Sequence, residues 1–278
     1  MTFASILVHL DDTDRCVVRA TFAARLARAH AAHLIGLLPT GLYDGSIPAD
    51  LLPSGATDFI AESADYLRVR AERIVDVFRG AATGHGYLSF EVRETDRPAL
   101  DALLHHGRTS DLIVVGQEVP RAHNAFAARD LVDRLLMDAG RPVLVLPCAG
   151  DFDKVPTRIM VAWDGSREAA LAMQGALPLM RKAHRVMLTS FTPTQQVDAA
   201  AQTAGIDRWL HQHGVESTRD THATRIDVAD ALLSHAVDAG AELIVMGGYG
   251  HARWRERMVG GVTRDMLAHM TVPVLMAH

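Results

Sequence analysis

Short apolar runs alternate with amphipathic stretches of helical period from the first residues onward. Residues 6–10 form an apolar run ending at Asp11 and Asp12. Residues 16–30 follow, with Val18, Phe22 and Leu26 at helical spacing and Arg19, Arg25 and Arg28 on the other face. The pattern predicts strand, turn, helix. A second strand is expected over 33–38, and the glycine, proline and aspartate of 39–57 predict a long loop or lid. Residues 58–78 are again helical in period and stop near Gly80 and Gly84, 88–93 alternate as a short strand, and 98–106 read as a short helix. Residues 112–116, LIVVG, are continuously apolar, as in a strand buried on both faces of a parallel sheet. A last helix over 130–139 leads to PVLVL at 142–146.

The order then begins again. RIMVAWD at 158–164 matches SILVHLD at 5–11, with an acid ending an apolar strand before a helix, here 168–182. DALLHH at 101–106 recurs as DALLSH at 230–235, DLIVVG at 111–116 as ELIVMG at 242–247, and PVLVL as PVLMA at 273–277. The last two matches share one offset, so a tandem repeat explains them without a gap. Two domains follow, 1–148 and 156–278, joined by the turn-rich PCAGDFDKVP of 147–156. Strand–helix alternation in each calls for an α/β fold: an open, mostly parallel five-stranded sheet with helices on both faces and right-handed crossovers. Ligands in such sheets sit beyond the carboxyl ends of the strands, where strand order reverses. Asp164 and Gly247 lie at such ends.

The chemistry-bearing stretch is LIVMGGYGHARWRERMVGGVT at 243–263. A strand-like run ends at Gly247, Gly248 and Gly250, a second pair follows at Gly260 and Gly261, and 262–269 are helical in period. Glycines between a strand and a helix let backbone N–H groups close around an anion that also feels the helix dipole. The alternative is a flexible connection without a ligand. Arg253, Arg255 and Arg257 could clamp phosphates or be solvated, and Asp164, in D-G-S-R-E, could cap the next helix as well as touch a ligand. Lysine occurs only at Lys154 and Lys182, which excludes a Walker-type loop.

With Gly247, Gly250 and Gly260 in the pattern Gly-x2-Gly-x9-Gly, the chain resembles the universal stress protein family in its tandem two-domain form. The resemblance implies Rossmann-like domains and a cytoplasmic stress-response or regulatory protein that binds ATP or another adenine nucleotide, with or without Mg²⁺, with little or no turnover. The family's strand-ending aspartate matches Asp164, preceded by Ala162 and Trp163. The main chain that reads the adenine edge matches Phe191, and Met246 precedes the first glycine. Phosphates are expected on the turn at Gly260, Gly261, Val262 and Thr263. Gly261 stands where the family carries Ser or Thr, leaving Thr263 as the nearest hydroxyl. In the first repeat Gly116 is kept, but Val119, Arg129 and Asp130 replace the later glycines, so no ATP site of the family's kind is expected there. The final strands of the two halves are expected to pair in an intramolecular pseudo-dimer, and a further homodimer is possible.

Composition narrows the remaining classes. With 28 basic and 33 acidic residues the net charge is −5, which gives no global attraction to nucleic acid or an anionic membrane. No apolar run is long enough for a membrane span, and the N-terminus does not read as a signal peptide. Cys16 and Cys148 read as reduced thiols. The pairs His30/His33, His105/His106 and His211/His213 lack compact metal-ligand spacing, so no metal site is expected, and no catalytic residue can be assigned. Two other classes remain: a nucleotide-free dimerisation or partner-docking module, and an adenylyl-transferring ligase, disfavoured by the absent Ser-Gly-Gly-type loop.

Overall fold

The computed structural model describes residues 2–40, 57–84, 86–118, 131–192, 199–250 and 261–278. The expected lid over 39–57 lies almost wholly outside them, as do Val119, Arg129, Asp130, Arg253, Arg255, Arg257 and Gly260. Each repeat contributes five strands, in the strand–helix alternation that the sequence predicts. The chain packs as two compact units.

One unit, Thr2–Gly116 with Asp151–Lys154, holds β1 (Ser5–His9), α1 (Cys16–His30), β2 (His33–Pro39), α2 (Thr57–Thr83), β3 (Phe90–Thr95), α3 (Ala99–Gly107) and β4 (Leu112–Gly116). Its strands run in the order β3-β2-β1-β4, all parallel, with Ile6 level with both Leu34 and Leu112. Ile6, Leu7, Val8 and Ile113 have no solvent contact, the condition that an uninterrupted apolar run satisfies when helices cover both faces. Arg19 departs from expectation. It was assigned to the polar face of α1, yet it is 3% exposed and turned toward the strand ends.

The other unit, Gln117–Gly150 with Val155–His278, holds α4 (Leu131–Asp138), β5 (Val143–Leu146), β6 (Arg158–Ala162), α5 (Arg167–Met180), β7 (Arg185–Thr192), α6 (Ala199–Gln212), β8 (Ser217–Ala223), α7 (Val228–Asp238), β9 (Leu243–Gly247), α8 (Val262–His269) and β10 (Val274–Ala277). The strand order is β5-β10-β9-β6-β7-β8. All neighbours are parallel except β5 and β10, which run antiparallel with Leu275 opposite Leu144. Gln117 supports this pairing: its side-chain amide donates to the carbonyl of Leu267 at 2.8 Å and accepts from the N–H of Cys148 at 2.8 Å. Both cysteines are free thiols, Cys16 buried and Cys148 exposed. Among the described residues no helix is long and apolar enough to cross a membrane.

Candidate functional site at the strand ends

Strand order reverses once in each unit, between β1 and β4 in one and between β6 and β9 in the other. The second reversal collects the expected residues. Ala162 ends β6, and Trp163 follows with its N–H donating to the carbonyl of Thr189 in β7 at 2.8 Å. The indole Nε1 of Trp163 is out of solvent contact and has no hydrogen-bond partner among the described residues. Asp164 is exposed and accepts from the N–H of Ser166 at 2.9 Å, folding the turn that Gly165 completes at φ 80°. Ser166, not Asp164, caps α5, its hydroxyl accepting from the N–H of Ala169 at 3.1 Å. Phe191 stands near the end of β7, one strand further from the reversal, level with His222 of β8.

Opposite this turn, Met246 and Gly247 end β9. A Cβ at Gly247 would lie 2.6 Å from the backbone nitrogen of Ala169, and one at Gly250 would lie 2.8 Å from the Glu168 carboxylate and 3.3 Å from the Ser166 hydroxyl. The glycine segment therefore lies directly on the first turn of α5. Tyr249 adopts a left-handed conformation, φ 56°, that side-chain-bearing residues adopt only where their surroundings hold them. What holds it is visible: its N–H donates to Thr263 Oγ1 at 3.0 Å and its phenol donates to Asp133 of α4 at 2.5 Å. Burial, with the hydrogen bond and charge of Asp133 acting in the same direction, pushes the phenol well above its ordinary range. The Thr263 hydroxyl thus accepts from the glycine segment and is buried. Val262 opens α8 with Gly261 before it as N-cap, extended at φ −129°, so among the described residues no side chain caps the first N–H groups of the helix.

Glu168 is the member of this group that sequence reasoning did not single out. It is 8% exposed, in the first turn of α5, with Arg167 Nη1 at 3.3 Å from its carboxylate. Its position after the D-G-S turn was readable, but its inward orientation beneath Gly250 depends on the fold.

The corresponding place in the other unit is filled. A Cβ at Gly116 would lie 2.6 Å from Arg19 Nη1. That guanidinium donates through Nε to the carbonyl of His9 at 2.7 Å and pairs through Nη2 with Asp11 at 2.8 Å. Burial alone would raise the Asp11 pKa. The Arg19 charge, with His9 and the Thr13 hydroxyl bond, overrides it and holds the group at about 2. The offset that brings Asp11 onto Asp164 brings Arg19 onto Ala172, so the second repeat has no arginine at the equivalent position. A groove of about 630 Å³ in the same unit, lined by residues including Thr40, Arg68, Glu72, Arg79 and Glu94, lies between α2 and the carboxyl ends of β2 and β3.

An open α/β sheet with a glycine segment and a helix start at its point of strand reversal defines the Rossmann-like class. Comparison with known proteins bears on the family. The family model described as the universal stress protein family matches residues 156–278, so the second repeat is similar to that family. Universal stress protein Slr1230 of Synechocystis is 23% identical over 211 residues, 74% of this chain and 71% of that protein. Among solved structures, a universal stress protein from Archaeoglobus fulgidus superposes with a TM-score of 0.69 at 15% identity, covering 98% of this chain and 97% of the other. A functionally unknown protein from Pseudomonas aeruginosa, PA1789, gives 0.54 at 16% identity, covering 98% and 92%.

Proposed function

We propose that the second repeat binds an adenine nucleotide, ATP first among them, as a regulatory ligand with little or no turnover, and that the first repeat supports it without such a site. The observation that carries this is the indole N–H of Trp163. Among the described residues it is a buried donor without a partner, just past β6 at the point of strand reversal, where β9 ends in the glycine segment. Buried polar groups in folded proteins are almost always paired, so a donor left unpaired there fits a ligand acceptor. The residues fit a nucleotide with one qualification. Glu168 places a carboxylate beneath Gly250, where a phosphate would meet like charge unless Mg²⁺ lies between them.

Calorimetric titration of the full chain with ATP tests the reading. Wild type is expected to bind with Mg²⁺ and weakly without it, whereas Glu168→Gln tightens binding specifically in the absence of Mg²⁺. Gly261→Ser restores a hydroxyl at an extended backbone position and is expected to tighten binding about tenfold or more, the worth of one charged hydrogen bond. No binding at millimolar ATP by wild type or by Gly261→Ser would defeat the proposal.

One observation favours a second reading. Gly247 and Gly250 are accounted for by their packing on α5 alone, as a nucleotide-free scaffold would require. The antiparallel β5–β10 pairing, between the last strands of the two repeats, supports a pseudo-dimeric arrangement of the repeats under either reading.

A further inference from the structure

The strand that sequence periodicity makes least of, β8, carries a second group of chemically competent side chains. Asp220 and His222 are two apart and so share one face of the strand, and His235 reaches the same place from α7. Asp220 Oδ1 lies 2.9 Å from His222 Nε2, and Oδ2 lies 2.9 Å from His235 Nε2. The two imidazole rings are 4.3 Å apart at their centroids. One ligand atom from each of the three residues falls within 4.8 Å of the other two, the single such grouping among the described residues.

The orientation of the rings is more informative than the distances. Both Nε2 atoms are out of solvent contact, and neither makes a hydrogen bond of acceptable geometry, although a carboxylate oxygen is within reach of each. An imidazole N–H meant for a carboxylate points along the N···O line. Here both nitrogens and the carboxylate converge on shared space instead, as ligands of one cation do. Thr189, the register partner of Asp220, adds a buried hydroxyl oxygen without a partner. Phe191 stacks on His222 at 5.6 Å and 27° and meets His235 edge-on at 6.3 Å, so an apolar wall fixes both rings on one side. On the other, Asp220 and His222 remain 40% and 38% exposed, leaving room for a further ligand.

We infer that Asp220, His222 and His235 form a site for a divalent transition-metal ion, zinc foremost. Two imidazoles and one carboxylate are a borderline-soft donor set that suits zinc over magnesium or calcium. Tetrahedral coordination at zinc distances of about 2.1 Å separates neighbouring ligand atoms by about 3.4 Å, so each 2.9 Å nitrogen–oxygen pair widens by about half an ångström to admit the ion. Three protein ligands and one open position are the pattern of sites whose metal also binds water or a small molecule. The inference stands on these residues alone and is independent of nucleotide binding at Trp163.

The test uses the full, tag-free chain, stripped of metal with a chelator and titrated with Zn²⁺ against a chromogenic competitor. Wild type should hold one zinc per chain at micromolar zinc, and excess Mg²⁺ should not displace it. His235→Ala and Asp220→Asn should each lose at least about 100-fold in affinity, more than the loss typical of groups outside the coordination sphere. His211→Ala, an exposed histidine elsewhere, should bind as wild type does. Circular dichroism establishes that each variant is folded, and if His235→Ala is not, Asp220→Asn and His222→Gln decide. Failure of wild type to retain stoichiometric zinc, or equal binding by folded ligand variants, would overturn the inference. Cobalt substitution gives an independent readout: a nitrogen–oxygen site lacks a thiolate charge-transfer band, and such a band would move the metal to a cysteine and refute this assignment.

Discussion

Asp11 and Arg19 form a buried pair at the point of strand reversal between β1 and β4. Arg19 is buried and placed within van der Waals distance of the space above Gly116, so the charge of Asp11 is what makes its burial tolerable. Asp11 titrates at about 2 in the folded protein against 3.8 in an unfolded chain, so its stabilisation is complete above about pH 4 and is lost as pH falls from there toward 2. The shift is worth about 2 kcal/mol. Asp11→Asn is expected to cost about 3 kcal/mol at pH 7, because the guanidinium stays buried without its counter-charge. It should also flatten the acid limb between pH 4 and 2. Urea unfolding of both proteins at pH 7 and pH 3 measures both effects; a variant as stable as wild type at pH 7 would show that Arg19 relaxes to solvent.

At the scale of elements, Gly247 and Gly250 at the end of β9 are set by close approach to α5. Gly247→Ala would force a methyl against the Ala169 backbone nitrogen, which cannot rotate away, and is expected to destabilise by about 1–3 kcal/mol in thermal or chemical unfolding. Gly261→Ser faces no such barrier and should change stability by only a few tenths of a kcal/mol, which separates any gain in ATP affinity from a general effect on folding. The same elements show what a sequence discloses. Continuous apolar runs such as LIVVG and LIVMG specify buried parallel strands with little competition, and the repeat of Asp11 and Gly116 as Asp164 and Gly247 marks both points of strand reversal. β8, STRDTHA, has no apolar alternation because most of it faces solvent, so nothing in its pattern distinguishes it from a loop. The Asp220, His222 and His235 group was hidden for the same reason: β8 and α7 are joined by a connection whose path only the fold defines. Adjacent histidines, easier to notice, do other work. His30 packs on Phe3 and His33 meets Ser89 at 2.8 Å. Arg19 was misassigned to a polar face because helical period alone cannot distinguish a snorkelling arginine from one buried on a carboxylate.

Across the whole chain, the repeat boundary in sequence and the packing boundary in space differ. The segment 117–150 belongs by sequence to the first repeat, yet it packs with the second, through β5 against β10, Tyr249 on Asp133 and Gln117 on the end of α8. Cutting the chain at the repeat boundary therefore does more than remove a neighbour. A fragment of residues 155–278 would expose the edge of β10, with the N–H and C=O groups that β5 now satisfies, on a short and wholly buried apolar strand, VLMA. An uncovered apolar edge is a template for pairing with another chain. Two copies of the fragment can satisfy it by placing β10 against β10 in the antiparallel sense that β5 now adopts, since PVLVL and PVLMA are copies of one strand. The fragment is expected to elute as a dimer or larger species in size-exclusion chromatography with light scattering. A fragment of 117–278, which keeps β5, should show less self-association at equal concentration. Replacing Leu275 by lysine in the shorter fragment, with circular dichroism to confirm folding, should reduce its association. A monomeric and folded 155–278 would mean that β10 does not depend on its partner strand, and the pairing of the two final strands would then be a consequence of chain connectivity rather than a source of stability.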